Sequence, residues 1–203
     1  MTGKSWGGLE MNALKLVKIF HNQDSDLTII ARPETPFYTK ASKVVTSVIT
    51  LPRDCYRYLD FSMAYFLSKE IKIRAITHVL IIESKDIDVM AWTKRLFAKN
   101  LRLVFQQHMQ LGIDKKNILQ TFRFKQLDAW ISPLPYLKEE AARCTYFPKE
   151  RIYTIPIGID KNKVHEIGYP KKKARDHWGI SHDVTLLGIM GRITEKKRSI
   201  ICR

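Results

Sequence analysis

Short apolar runs alternate with helical patterns along almost the whole chain, and this alternation constrains the fold more than any other feature. Residues 9–20 repeat Leu9, Ala13, Leu16, Val17 and Phe20 at helical spacing. A polar turn, His21 to Ser25, leads to Leu27-Thr28-Ile29-Ile30-Ala31, which reads as a buried strand broken by Pro33 and Pro36. Val44 to Ile49 is a second β-branched strand, stopped by Pro52. Residues 56–71 are helical in pattern, and Val79 to Ile82 is a third strand. A helix from Asp86 to Ala98 follows, with Asp86 as its N-cap. Leu101 to Phe105 is a fourth strand, running into Gln106-Gln107-His108, and residues 115–126 are helical. Ala129-Trp130-Ile131 is a fifth strand, and Pro133 opens a helix over 134–144. Ile152 to Ile155 is a sixth strand, closed by Pro156 to Asp160. A basic, partly helical connector then reaches about His182, and Val184 to Met190 reads as a seventh strand.

Strands that alternate with helices predict an α/β fold. Its form is a Rossmann-like open parallel sheet with helices on both faces. The strands are near-continuous apolar runs, as doubly covered strands should be. Ligands of such sheets sit beyond the carboxyl ends of the strands. Gly7-Gly8, Glu83-Ser84, His108 and Pro156 to Asp160 all fall at such ends, or at the place of a strand not seen in Met1 to Trp6.

Gly7 and Gly8 stand directly ahead of the first helical pattern. Such a turn lets backbone approach a ligand with no Cβ in the way, and a helix N-terminus behind it favours an anion. Gly3-Lys4-Ser5 has the end of a P-loop but neither its earlier glycine nor its strand, and no G-x-G-x-x-G pattern is present.

Charge adds a second constraint. Lys and Arg number 35 against 20 Asp and Glu, a formal charge of +15, which suits anionic partners. Cys55, Cys144 and Cys202 are odd in number and lack metal or redox spacing, so they read as reduced thiols. No apolar run approaches the roughly 18 residues of a membrane span, and the N-terminus carries no apolar leader pattern. These features predict a cytoplasmic chain.

Four short motifs in order resemble GT-B glycosyltransferases of the family 4 type. They are Gly7-Gly8-Leu9-Glu10, Gln107-His108, Ile155-Pro156-Ile157-Gly158-Ile159-Asp160, and Gly191-Arg192-Ile193-Thr194-Glu195-Lys196-Lys197. The resemblance implies the N-terminal, acceptor-side half of a GT-B fold and a retaining transfer from a nucleotide-sugar. The acceptor would be a cell-envelope glycan or a lipid-linked sugar, with the chain peripheral on the inner face of an anionic membrane. It implies no metal ion and no cofactor beyond the nucleotide-sugar co-substrate. Gly7 and Gly8 would offer backbone N–H groups to the donor diphosphate. His108 would act in the cleft on the transferred sugar or acceptor, and Arg192 and Lys197 would neutralise the leaving diphosphate. Departure of that group develops negative charge, which fixed cations stabilise, and Arg can grip two phosphate oxygens at once.

The resemblance also divides the chain. Residues 1–157 would be a Rossmann-like acceptor-side domain lacking its first strand, 158–183 a basic linker, and 184–203 the start of an incomplete nucleotide-sugar-binding domain. Arg198 stands where the family has a glycine, and no pair of glutamates eight apart occurs among these last residues. The expectation is a fragment, inactive alone.

Two other functions compete. A basic nucleic-acid-binding α/β module would use the +15 charge and mixed segments such as Phe122-Arg123-Phe124-Lys125, but no RRM, KH, zinc-finger or helix-turn-helix signature accompanies them. A metal-dependent GT-A transferase would use Asp24-Ser25-Asp26 or Asp86-Ile87-Asp88. Neither stands directly at a strand end, where both carboxylates could hold a metal.

Overall fold

The computed structural model describes residues 6–23, 25–56, 58–158 and 170–188. The chain divides into two compact units, residues 1–157 and 158–203. In the first unit the elements run α1 (Gly8–His21), β1 (Ile29–Ala31), α2 (Pro36–Ala41), β2 (Val48–Thr50), α3 (Phe61–Ile73) and β3 (His78–Ile81). They continue with α4 (Asp86–Trp92), β4 (Arg102–Gln106), α5 (Ile118–Lys125), β5 (Ala129–Ser132), α6 (Pro135–Cys144) and β6 (Ile152–Thr154). A π-turn, Thr93–Phe97, extends α4.

The fold is α/β, with parallel strands flanked by helices. The six strands form two sheets, β1-β2 and β3-β4-β5-β6, and every pairing is parallel. The larger sheet carries the main core, centred on the fully buried Trp130, Leu103, Ile152 and Ile87. Phe105, Phe124 and Phe147 surround the Trp130 ring at 4.9–5.6 Å between centroids. Aromatic contacts of this kind add about 0.5–1.5 kcal/mol beyond area burial. The smaller sheet has its own core, in which Ala13 and Val17 of α1 and Phe37 and Ala41 of α2 pack with Ile29 and Ala31.

Several expectations are corrected. The expected α/β class with parallel strands holds, and among the described residues the strands fall in two parallel sheets with no ladder between β1 and β3. The second strand covers only Val48–Thr50, while Val45 packs into the small core from a loop. Residues 33–41 read as a break, yet Pro36 is the first residue of α2 and Thr35 is its N-cap, accepting from Tyr38 N at 3.2 Å. Proline costs nothing in a first turn, where its missing N–H would be unbonded anyway. Asp86 is not a cap; it is the first residue of α4, behind Lys85. In the second unit α7 (Lys171–His177) forms within the connector, but residues 184–188 hold no strand. A strand needs ladder partners, and Leu187 is 92% exposed. Ile189 and Met190 lie outside the described residues.

Candidate functional site

Two rim loops carry the residues that the sequence singles out in the first unit. His108 stands two residues past the carboxyl end of β4. Gly7 is the N-cap of α1, and α1 runs back across the sheet to feed β1, which puts its N-terminus at the carboxyl ends of the strands.

The loop after β4 is pinned from beneath. Gln107 is 1% exposed, and its N–H donates to Ile131 O at 2.8 Å, continuing the ladder one residue past the strand. Its side-chain oxygen accepts from Trp130 Nε1 at 3.0 Å and from Ser132 Oγ at 2.7 Å, while its Nε2 donates to Met109 O at 3.0 Å. The residues on either side of His108 are thus fixed. Beyond them, Glu140 of α6, itself buried, accepts from Leu111 N at 3.0 Å and from Gly112 N at 3.3 Å. Gly112 has φ +70°, a conformation that glycine adopts without strain.

The His108 ring is half-buried, and its Nε2 has no hydrogen-bond partner among the described residues. Burial lowers its pKa below the ordinary histidine value. The ring is therefore neutral at pH 7, with one nitrogen a donor and the other an acceptor. A buried nitrogen without a partner carries a desolvation cost of about 1–3 kcal/mol that a ligand hydroxyl would relieve.

The glycine loop is built locally. Gly7 is extended, with φ −149° and ψ −166°, so neither glycine is there to supply a left-handed turn. Gly7 N donates to Glu10 Oε2 at 2.8 Å, and Glu10 is buried. Gly7's amide is thus already engaged. The first intrahelical bond runs from Met11 N to Gly7 O at 3.0 Å, so the amides of Gly8, Leu9 and Glu10 precede the helix's own bonding. A Cβ on Gly8 would meet nothing within 4 Å, so no close approach requires glycine there. The Glu10 carboxylate also offsets part of the helix's positive end, which weakens this N-terminus as an anion site.

The third rim segment, residues 51–60, is organised by Asp60. This buried carboxylate caps α3 by accepting from Met63 N at 3.1 Å. It also accepts from Tyr56 N at 2.8 Å and takes both guanidinium nitrogens of Arg53, at 2.7 and 2.6 Å. Burial alone would raise its pKa, but the Arg53 and backbone hydrogen bonds outweigh that and bring it to about 2. Nearby Cys55 is pushed up to about 11, chiefly by burial, so it is no nucleophile.

Asp86 and Asp88 both lie in the first turn of α4. Asp88 is buried against Arg123 of α5 at 2.9 Å, which makes it a strut between helices. No cluster of potential metal ligands occurs among the described residues. Arg192 and Lys197 lie outside the described residues.

Sequence reading missed Glu140 and the bonding role of Gln107. Glu140 falls on the same stripe of α6 as the buried Leu137 and Ala141, and an acid on an apolar stripe signals a buried partner. Gln107 carries no comparable signal, because its partners lie 23 and 25 residues away.

A scan against protein-family models finds no match, and neither does a comparison with curated proteins. Solved structures do match in fold. One is HepE of Anabaena, solved in complex with UDP, at 14% identity and a TM-score of 0.67, covering 88% of this chain and 48% of that one. Another is a glycosyltransferase from Rickettsia africae ESF-5, at 13% identity and a TM-score of 0.65, covering 91% of this chain and 49% of that one. The fold is GT-B-like. The chain spans about half the length of these structures.

Proposed function

We propose that this chain is the acceptor-side part of a retaining glycosyltransferase of the family 4 type, one that moves a sugar from a nucleotide-sugar to a cell-envelope glycan or lipid-linked acceptor. The observation that carries this reading is His108. It is a neutral, half-buried histidine with an unsatisfied Nε2, held by Gln107 at the carboxyl-end rim where such sheets receive ligands. A neutral imidazole there can bond a sugar hydroxyl and hold the acceptor or transferred sugar in line for reaction.

The donor side of the reading rests on three groups. Gly8, whose amide precedes the helix's own bonding, presents an N–H to the diphosphate of a nucleotide such as UDP, while Gly7 shapes the loop through Glu10. Arg192 and Lys197 supply the cations that stabilise the departing diphosphate. No metal takes part in this scheme. The +15 charge seats the chain on the inner face of an anionic membrane, each near-surface Lys or Arg contributing ~1 kcal/mol.

Saturation-transfer NMR on the purified chain tests the reading. Short saccharides should show contact signals that disappear in His108→Ala. Tight nucleotide-sugar binding that ignores His108→Ala, or no saccharide signal at all, would remove His108 from the site. Binding to anionic vesicles should fall as salt rises, since screening shortens to about 8 Å at physiological ionic strength. A stronger salt-dependent shift of an oligonucleotide would favour nucleic acid instead.

A further inference from the structure

Three helices behind the larger sheet share one orientation. α3, α4 and α5 lead into the parallel strands β3, β4 and β5, so all three run against the strands and alongside one another. Their exposed stripes follow one pattern. On α3, Phe61 and Tyr65 come before Lys69 and Lys72. On α5, Ile118 and Phe122 come before Lys125. Residues three and four apart share a helix face, so each set is one stripe. The π-turn behind α4 repeats the order, with Leu96 ahead of Lys99. Side by side, these elements make an apolar band with cations beyond it.

The band is continuous. Trp92 packs on Phe61 at 4.9 Å and on Phe122 at 4.3 Å between ring centroids, and Tyr65 packs on Phe97 at 5.5 Å. Water still reaches it: Ile118 is 87% exposed, Tyr65 50% and Leu119 48%. A connected apolar patch rimmed by polar groups marks an interaction site. The nearby acids are already engaged, Glu70 by Arg74, Asp88 by Arg123, and Asp128 by Lys94 and Arg102. Lys69, Lys72, Lys99 and Lys125 make no ion pair among the described residues and are exposed. A helix dipole favours cations in a last turn, but it does not account for Ile118 and Tyr65 in water.

The chemistry of the face selects its occupant. A second copy would set the face against itself and give its cations no acids to meet. A single-stranded nucleic acid stacks its bases on open ring faces. Here Trp92 is packed by two rings, and Tyr65 by Phe97 and by the Lys69 ammonium, 4.5 Å from its centroid. A bilayer surface matches every part. Aliphatic side chains enter the acyl boundary, tyrosine and tryptophan sit at headgroup level, and lysines meet anionic phosphates.

We propose that this face of α3, α4 and α5 docks on an anionic lipid bilayer, with Ile118, Leu119 and Tyr65 entering among the headgroups and Lys69, Lys72 and Lys99 holding lipid phosphates. The proposal rests on the reading of a membrane-seated chain; it adds which surface is seated, and that apolar insertion acts beside net charge. α3 and α5 begin directly behind the rim segments 51–60 and 108–117, so the docked face holds the candidate site beside the bilayer.

Flotation of the full chain tests it, using vesicles of equal parts phosphatidylglycerol and phosphatidylcholine. Ile118→Ser with Leu119→Ser leaves the charge unchanged and should weaken binding about tenfold. Lys69→Glu with Lys72→Glu should weaken it about tenfold or more. Lys171→Glu with Lys172→Glu makes the same charge change on α7 and should cost less than about threefold. Ile118→Trp should tighten binding, a gain that a misfolded chain would not give. Equal losses from the two glutamate pairs would overturn this face and leave a seat by net charge alone. Unchanged binding in the serine pair would overturn it by removing the apolar band. Stronger binding of an oligonucleotide than of vesicles, lost in Lys69→Glu with Lys72→Glu, would assign the face to nucleic acid instead. No binding of the unaltered chain to these vesicles would overturn the face and the membrane seat together. None of these readouts involves a saccharide, so the reading of His108 is tested separately.

Discussion

The two rim loops are both held by a buried polar side chain, but over different distances along the chain. At Gly7 the holder is Glu10, three residues away on the same helix. At His108 the holders come from elsewhere: Gln107 is locked by Trp130 and Ser132, and Glu140 reaches Leu111 and Gly112 from 29 and 28 residues away. A loop fixed by its own helix cap moves with that helix. A loop fixed through neighbouring strands and α6 is part of the main core. The His108 loop is thus the rigid member of the pair and the suited place for a group that must be aimed, whereas the glycine loop takes its position from α1 alone.

Gln107→Leu should break this contrast most severely. It leaves Trp130 Nε1 and Ser132 Oγ without their shared acceptor inside the core, at about 1–3 kcal/mol for each buried group. Chemical denaturation should show a loss near the sum of the two, and saccharide signals at His108 should disappear with it. A loss below about 1 kcal/mol would mean that water or a rearranged side chain replaces Gln107, and the loop would not be core-anchored.

Glu140→Ala comes next. Two backbone amides lose a charged acceptor, and hydrogen bonds to charged groups contribute about 1.5–3 kcal/mol. Exchange at Leu111 and Gly112 should speed up while exchange at Leu103 and Phe105 stays slow. Uniform acceleration across β4 would show that Glu140 supports the sheet and not the loop. Glu10→Ala should cost less, about 0.5–2 kcal/mol as other cap losses do. It also frees the Gly7 amide and removes a negative charge from the helix N-terminus, so weak anion binding there should rise. No gain in phosphate binding would show that Glu10 does not mask this N-terminus.

The same contrast explains what the sequence made legible. Period and composition revealed the α/β class and most helices, because burial on both faces writes apolar runs directly into the strands. Glu10 sits in the first helical turn, visible without tertiary knowledge. α2 was hidden because Pro33 and Pro36 look like breakers, and only Thr35 as a cap turns Pro36 into a helix start. Glu140 and the partners of Gln107 depend on which strands lie side by side, and no local pattern records that. The Asp88–Arg123 pair is similar: an aspartate in a first helical turn reads as a surface residue until α5 is packed over it.

The smallest expected effect is in pH dependence, and it separates His108 from the carboxylates. Burial lowers the folded pKa of His108 below its ordinary value near 6.5. Below that value the unfolded chain binds a proton that the folded chain still refuses, so stability falls as pH drops from about 6.5 until the folded pKa is reached. The slope for one such group is at most about 1.4 kcal/mol per pH unit. Asp60 behaves alike in sign but lower in range. Its folded pKa of about 2 lies under the ordinary 3.8, so the stability it contributes is complete above pH 4 or so and disappears as pH approaches 2. Comparing the chain with His108→Asn isolates the first window, since asparagine does not titrate. The stability difference between the two should change as pH falls below about 6.5 and level off toward pH 8. A saccharide bonded to the neutral ring should bind more weakly over that same acid range. A difference that is constant from pH 8 to 5 would mean that the ring charges as freely in the fold as in water. His108 would then be a solvated loop histidine, and the two rim loops would no longer differ in what they hold.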